Sequence, residues 1–187
     1  MKRLFTGFCL VVGAVACTPA PPPPPAPPPP STAIRDSIRG PYNSVKDNIT
    51  KSLPLVADNR LNFRPTPDVR SLGQLFGHVA DANYLFCGVV ADSRPAGTGK
   101  AEELKTKAEL AKALADSFAF CDKAFDTLND QTGAAAVTID FINNMPSTKL
   151  GVLAFNSAHD WEHYGNIVTY LRLNKIVPPS SAATGSQ

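Results

Sequence analysis

The chain has 187 residues, a formal net charge of +2 and 43% hydrophobic residues, which suits one domain with a single core. Lys2 and Arg3 carry two of its basic charges, so the chain after residue 16 has as many acidic as basic side chains. Such a neutral domain lacks the basic surface of a nucleic-acid-binding protein, and we expect no nucleic-acid partner.

The first 16 residues have the organisation of an export signal. Two basic residues precede an apolar run from Leu4 to Ala16, which ends in the small residues A-V-A. This pattern predicts a signal peptide over residues 1–16 rather than a membrane-spanning helix. Cys17 follows at once and resembles the lipidated cysteine of a bacterial lipoprotein. Ala14 stands where such signals usually have leucine, so plain secretion is the alternative to a periplasmic or lipid-tethered protein.

Residues 17–32 are a proline-rich linker. Residues 19–30 consist of ten prolines and two alanines, which predicts an extended polyproline II segment of roughly 37 Å. Behind a candidate lipidation site, such a segment would act as a stalk, and the lipid would be the protein's only contact with the membrane. A ligand for a proline-recognition domain is the alternative, but it fits an exported bacterial protein poorly.

The folded domain is predicted to span residues 33–178, and its first helix to run from Pro41 to about Val56. The apolar side chains of this helix recur every three or four residues, as on one helix face. They are Tyr42, Val45, Ile49, Leu53 and Val56. An earlier turn around Ile34 and Ile38 would be separated from the helix by a break at Gly40 and Pro41.

The second helix is predicted to open at Thr66 and Pro67, with threonine as the N-cap. Its inward-facing positions share the same three-and-four spacing. They are Leu72, Leu75, His78, Val79, Ala82, Phe86 and Val89. Residues 92–100, which contain proline and two glycines, then predict a loop.

Two further helices complete the domain. Thr106 and Glu109 form a capping-box pattern that opens the third helix, and Ser147 is predicted to cap a fourth helix that runs to about Asn174. No segment shows strand alternation, so we predict an all-α four-helix bundle. Residues 179–187 are predicted to be a disordered tail.

The three histidines are the strongest functional signal. His159 and His163 lie four residues apart on the inward stripe of the fourth helix, and His78 lies on that of the second. A single inward histidine is more often a core residue, but three would be costly to bury without a common purpose. Three imidazoles with an open fourth position form the usual catalytic metal site. We therefore predict His78, His159 and His163 as metal ligands.

Known zinc-protease motifs do not explain the pair. Residues 159–163 read H-D-W-E-H, which matches H-x-x-E-H. Proteases of that kind usually take a third ligand downstream, whereas no histidine follows His163 in this chain. Candidate acceptors for the outer N–H groups of the ligands are Asn156, Asp160, Glu162 and Asp81. None of these four stands out as a general base, and Tyr170 could line the pocket.

Two segments of the chain resemble the DinB family, which is part of the DinB/YfiT-like metalloenzyme superfamily. They are residues 63–83, with FRPTP and VRSLGQLFGHVADAN, and residues 159–172, with HDWEHYGN and YLR. The resemblance covers about residues 41–178. It implies a bundle of up-down-down-up order and a divalent transition metal, zinc or nickel, held by His78, His159 and His163.

The same resemblance implies a small-molecule substrate. Family members with assigned chemistry include transferases and isomerases that use low-molecular-weight thiols, and others are called hydrolases. Homodimers occur among family members, although no surface patch of this sequence marks an interface.

Cys87 and Cys121 bear on the topology. Cysteines beyond the signal of an exported protein suggest a disulfide. In an antiparallel hairpin of the second and third helices the two sulfurs would be roughly 20 Å apart, too far for a bond. The parallel pair that the family order implies would bring Cys87 and Cys121 to similar heights, so we expect a disulfide between them. The alternative is two small buried apolar residues.

The leading hypothesis is a metal-dependent enzyme, a hydrolase or a thiol-dependent transferase, that acts on a small molecule. A non-catalytic metal-binding or structural protein of the cell envelope is the alternative.

Overall fold

The computed structural model describes residues 26–182. The predicted signal peptide and Cys17 lie outside the described residues, and residues 26–32, the end of the linker, have no regular secondary structure. The described chain is mostly helical, as predicted. Within it, no helix combines the length and the apolar composition that a membrane span requires.

Four long helices carry the domain, and a short helix and a small hairpin lie between the last two. The long helices are α1 (Ala33–Ser52), α2 (Leu72–Ala91), α3 (Lys107–Asp126) and α5 (Lys149–Leu173). The short elements are α4 (Asp130–Gly133), β1 (Ala136–Ile139) and β2 (Met145–Thr148). The buried core draws aliphatic and aromatic side chains from all four long helices.

Helix α1 is continuous through Pro41, so the predicted break at Gly40 was wrong. Contacts with the chain around Asp130 hold its first turns: the Asp130 carboxylate accepts from the backbone N–H groups of Ile34 and Arg35 at 3.1 and 3.0 Å. Arg39 adds an ion pair with Asp126. These tertiary contacts offset the backbone hydrogen bond that proline cannot donate.

The predicted starts of two helices need correction. Helix α2 begins at Leu72, where Ser71 and Gln74 form a capping box, and not at Thr66 and Pro67. The N-cap of α5 is Thr148, one residue after the predicted Ser147. The third helix begins at the predicted Thr106 capping box. Residues that can cap a helix occur at several positions along the chain. Tertiary packing decides at which of them a helix begins.

An antiparallel hairpin, which the all-α prediction omitted, precedes α5. Its register pairs Ala136 with Thr148 and Ile139 with Met145. Both strands have four residues, and Ile139 is their only buried side chain, so no alternation of apolar and polar residues marks them in the sequence. Asn143 and Asn144, with φ of 48° and 53°, form the turn.

Helices α2 and α3 are covalently joined. The Cys87 and Cys121 sulfurs are bonded, with a Cα–Cα distance of 5.3 Å, and one turn earlier the Asn83 amide donates to the Ser117 hydroxyl at 3.3 Å. From the hydrogen bond to the disulfide, the residue numbers therefore increase along both helices. The disulfide is fully buried.

The ordered domain extends past Pro178. Residues Pro179–Ser181 form a 3-10 turn, and the Tyr164 hydroxyl donates to the Ser180 hydroxyl at 2.8 Å. The first residues of the predicted tail therefore pack onto α5.

Candidate metal centre

Three imidazoles from two helices, α2 and α5, converge on one another. One ring nitrogen from each of His78, His159 and His163 lies within 4.8 Å of the other two. The one-turn spacing on α5 brings the Nε2 atoms of His159 and His163 to 3.0 Å. The His78 ring on α2 lies 4.5 Å from that of His163 and 5.3 Å from that of His159, measured between ring centroids. The structure thus brings together all three of the residues predicted as ligands.

Burial keeps two of these imidazoles neutral. Desolvation, with smaller contributions from the neighbouring histidines, lowers the pKa of His159 to about 3. Desolvation and the His78 charge likewise lower the pKa of His163 to about 4. Neutral imidazole is the form that binds a metal ion, so at neutral pH both rings have a lone pair to offer.

The donor set fits a divalent transition ion. Nitrogen ligands lie about 2.0–2.1 Å from a tetrahedral zinc ion, which separates two ligand atoms by about 3.3 Å. The His159–His163 separation of 3.0 Å is close to that value, and a ring nitrogen of His78 lies within 4.8 Å of both. Among residues 26–182, the buried Nδ1 atoms of His159 and His163 have no hydrogen-bond partner, so neither ring has the outer acceptor that ligand histidines usually have. The three clustered ring nitrogens are a donor set that suits a divalent transition ion.

Glu102 was not among the predicted acceptors, yet it bonds a candidate ligand. Its Oε1 atom lies 2.7 Å from Nδ1 of His78, and its Oε2 atom accepts from Nε of Arg70 at 3.0 Å. Burial acts to raise the pKa of Glu102, but the hydrogen bonds from Arg70 and His78 outweigh it and lower the pKa. An ionised carboxylate only accepts, so His78 carries its proton on Nδ1, and Nε2 is the nitrogen left for an ion.

The turn that carries Glu102 is held against α2 near His78. Asp81, one turn after His78, accepts from the backbone N–H groups of Ala101 and Glu102 at 2.9 and 3.3 Å. A Cβ atom on Gly77 would lie only 2.6 Å from the backbone nitrogen of Glu102, so the turn packs where Gly77 has no side chain. Glu102 lies 24 residues from His78, and no spacing rule in the sequence links the two.

The predicted acceptors have other surroundings. The Asn156 amide donates to the side-chain oxygen of Asn83 at 2.9 Å, and Asp81 holds the turn at Ala101. Asp160 is fully buried, its carboxylate has no hydrogen-bond partner within residues 26–182, and desolvation raises its pKa. Glu162 is exposed and lines the cleft beside His163. None of the four bonds a histidine of the cluster in the described structure.

A cleft of about 640 Å³ opens beside the histidines. Its lining includes His163, Arg70, Glu102, Glu162, Asn166 and Tyr170. Tyr170 was predicted to line the pocket, and its hydroxyl donates to the backbone oxygen of Arg70 at 3.0 Å.

An aromatic group also packs against the cluster. Phe86 lies 5.4 Å from the ring of His159, and it packs against the part-exposed rings of Phe141 and Phe155 at 5.0 and 5.3 Å. The histidines therefore lie between polar and apolar surroundings.

The sequence model of the DinB superfamily matches residues 44–167, which include all three histidines. The chain belongs to the DinB superfamily. No curated protein matches the sequence.

Solved structures with this fold include DinB-like proteins from two bacilli. The one from Bacillus cereus has a TM-score of 0.67 and 14% identity, over 77% of this chain and 95% of its own. The one from Bacillus subtilis has a TM-score of 0.59 and 16% identity, over 74% of this chain and 92% of its own. At such identities the likeness shows the DinB-like fold alone.

A mycothiol-dependent maleylpyruvate isomerase is also similar. It has a TM-score of 0.60 and 14% identity, over 71% of this chain and 60% of its own. The DinB-like fold therefore occurs in an enzyme whose reaction depends on a thiol.

Proposed function

We propose that this DinB superfamily protein is a metal-dependent enzyme that acts on a small molecule, as a hydrolase or a thiol-dependent transferase. The observation that carries the proposal is the convergence of His78, His159 and His163, with one nitrogen from each within 4.8 Å of the others. Zinc or nickel is the proposed ion. When bound, such an ion would supply a Lewis acid that activates a water molecule or a thiol.

The protein's own residues would hold the ion and surround the substrate. Neutral His159 and His163 would bind without first losing a proton. The cleft beside His163, with polar side chains in its lining, is of the size that small-molecule sites have. The similarity to a mycothiol-dependent isomerase supports a low-molecular-weight thiol as a second substrate.

The finer architecture is part of the proposal. We propose the up-down-down-up order for α1, α2, α3 and α5. The contacts Asn83–Ser117 and Cys87–Cys121 support parallel α2 and α3. The contacts Arg39–Asp126 and Lys46–Asp122 support antiparallel α1 and α3. We also propose export with tethering through a lipid on Cys17, which the basic and apolar start of the sequence supports.

Metal analysis tests the site. Protein purified without chelator or an affinity-tag metal should contain about one transition-metal ion per chain. A His163→Ala variant should lose the ion, whereas Asn166→Ala, a control on the same cleft, should keep it. Wild-type protein that binds no ion even after addition of zinc or nickel would overturn the proposal.

Two further measurements separate an enzyme from a structural metal protein. Because the disulfide and the apolar core hold the helices together, His163→Ala should lower the melting temperature only modestly. Metal-loaded wild type, and not His163→Ala, should turn over substrates in a panel of esters, amides and thiol-transfer acceptors. A collapse of the fold in the variant, or no turnover by the loaded protein, would favour a non-catalytic envelope protein.

A further inference from the structure

The geometry points to Glu102 as a positioning residue for the metal centre: its carboxylate fixes the orientation and the tautomer of His78. This inference rests on the proposed metal site and adds a residue to it that the three-histidine pattern does not contain. Glu102 is not one of the residues whose ligand atoms cluster within 4.8 Å of one another, and it acts through His78.

Two hydrogen bonds hold the Glu102 carboxylate, one at each oxygen. One oxygen accepts from Nδ1 of His78 at 2.7 Å and the other accepts from Nε of Arg70 at 3.0 Å. A carboxylate held at both oxygens cannot rotate freely, so it defines the plane of the imidazole that donates to it. Such a partner also makes the ring a better ligand, because it disfavours the tautomer that has its proton on the metal-facing nitrogen.

His78 needs this restraint more than the other two ligands. His159 and His163 are one turn apart on one helix, so the backbone of α5 sets their spacing. His78 comes alone from α2, and its ring must be aimed at the pair across a helix–helix interface. Glu102 is the only side chain hydrogen-bonded to His78 in the described structure.

The turn that carries Glu102 is itself held against α2. The Asp81 carboxylate accepts from the backbone N–H groups of Ala101 and Glu102, and the backbone of the turn packs directly on Gly77. Gly77 and Asp81 flank His78 on α2. The helix that presents the ligand therefore also positions the turn that orients it.

The test compares Glu102→Gln with Glu103→Gln, the exposed neighbour in the same turn. Glu102→Gln keeps the size of the side chain and removes its charge. Competition titrations with zinc should show an affinity 10–100-fold lower for Glu102→Gln, and an affinity within about twofold of wild type for Glu103→Gln.

A spectroscopic readout separates positioning from a general loss of stability. In zinc-loaded protein with ¹⁵N-labelled histidine, the Nδ1 proton of His78 should give a strongly downfield signal in wild type and in Glu103→Gln. The signal should move upfield or vanish in Glu102→Gln. Wild-type protein that binds zinc but lacks this signal would overturn the inference, even if Glu102→Gln does not fold.

Zinc binding by the two proteins distinguishes a failure of the metal site from a failure of the role of Glu102. If wild type binds no metal, the proposed site fails first. If wild type binds zinc and Glu102→Gln binds it equally well, the metal site stands and the role of Glu102 is refuted.

Discussion

Reduction of the Cys87–Cys121 disulfide should destabilise the protein by an amount that follows from its position in the chain. The bond closes a loop with a sequence separation of 34 residues. By the chain-entropy relation, opening a loop of that length stabilises the unfolded state by about 3.8 kcal/mol at 25 °C. With a urea dependence of about 2 kcal/mol per molar, the unfolding midpoint should fall by about 2 M.

Urea titrations of the same protein with and without a phosphine reductant measure this difference. Reduction keeps both sulfur atoms in the core, so it isolates the cross-link from any packing defect. A Cys87→Ala/Cys121→Ala variant should lose about 1 kcal/mol more, because both side chains are fully buried. Equal midpoints with and without reductant would refute the reasoning, as would two free thiols found by mass spectrometry after denaturation of the oxidised protein.

Two further predictions concern the site. The pKa values of His159 and His163, about 3 and about 4, lie below the unfolded value of about 6.5. The unfolded chain therefore takes up protons first, so protonation of these two histidines should lower the stability of the metal-free protein as the pH drops from about 6.5 to about 3. Denaturation at pH 7, 5.5 and 4.5 should show the stability of wild type falling relative to that of a His159→Gln/His163→Gln variant. Asp160 is present in both proteins, so its opposing effect cancels in the comparison. A stability difference between the two proteins that does not change with pH would contradict the prediction. Gly77→Ala should displace the Glu102 turn and lower both the melting temperature and the zinc affinity. Gly165→Ala is the control, because a Cβ atom there meets no atom within 4 Å. It should leave the zinc affinity unchanged and raise the stability by about 0.5–1 kcal/mol. Equal zinc affinity in the two glycine variants would argue against close packing at Gly77.

The sequence predicted most of the helices because their apolar side chains follow the helical repeat over several turns. Its errors are two helix starts, a break inside α1 and the omitted hairpin. Thr66 with Pro67 and Ser71 with Gln74 both have the chemistry of a helix start, and only packing selects Ser71. Pro41 predicted a break because the sequence shows that proline lacks a backbone N–H to donate. The sequence does not show that Asp130, some 95 residues away, anchors the first turns of α1. The hairpin escaped prediction because its short strands bury a single side chain.

The candidate site also has features that the sequence predicted and features that only the tertiary structure decided. Periodicity alone placed His78, His159 and His163 on inward helix faces, since a helix face is a local property that follows from 3.6 residues per turn. The packing of distant segments decides three further features of the site. The two helix faces meet, Glu102 bonds His78, and Gly77 leaves room for the turn that carries Glu102. Contacts between segments far apart in the chain obey no spacing rule, so the three-dimensional fold decided which carboxylate stands behind the histidine cluster.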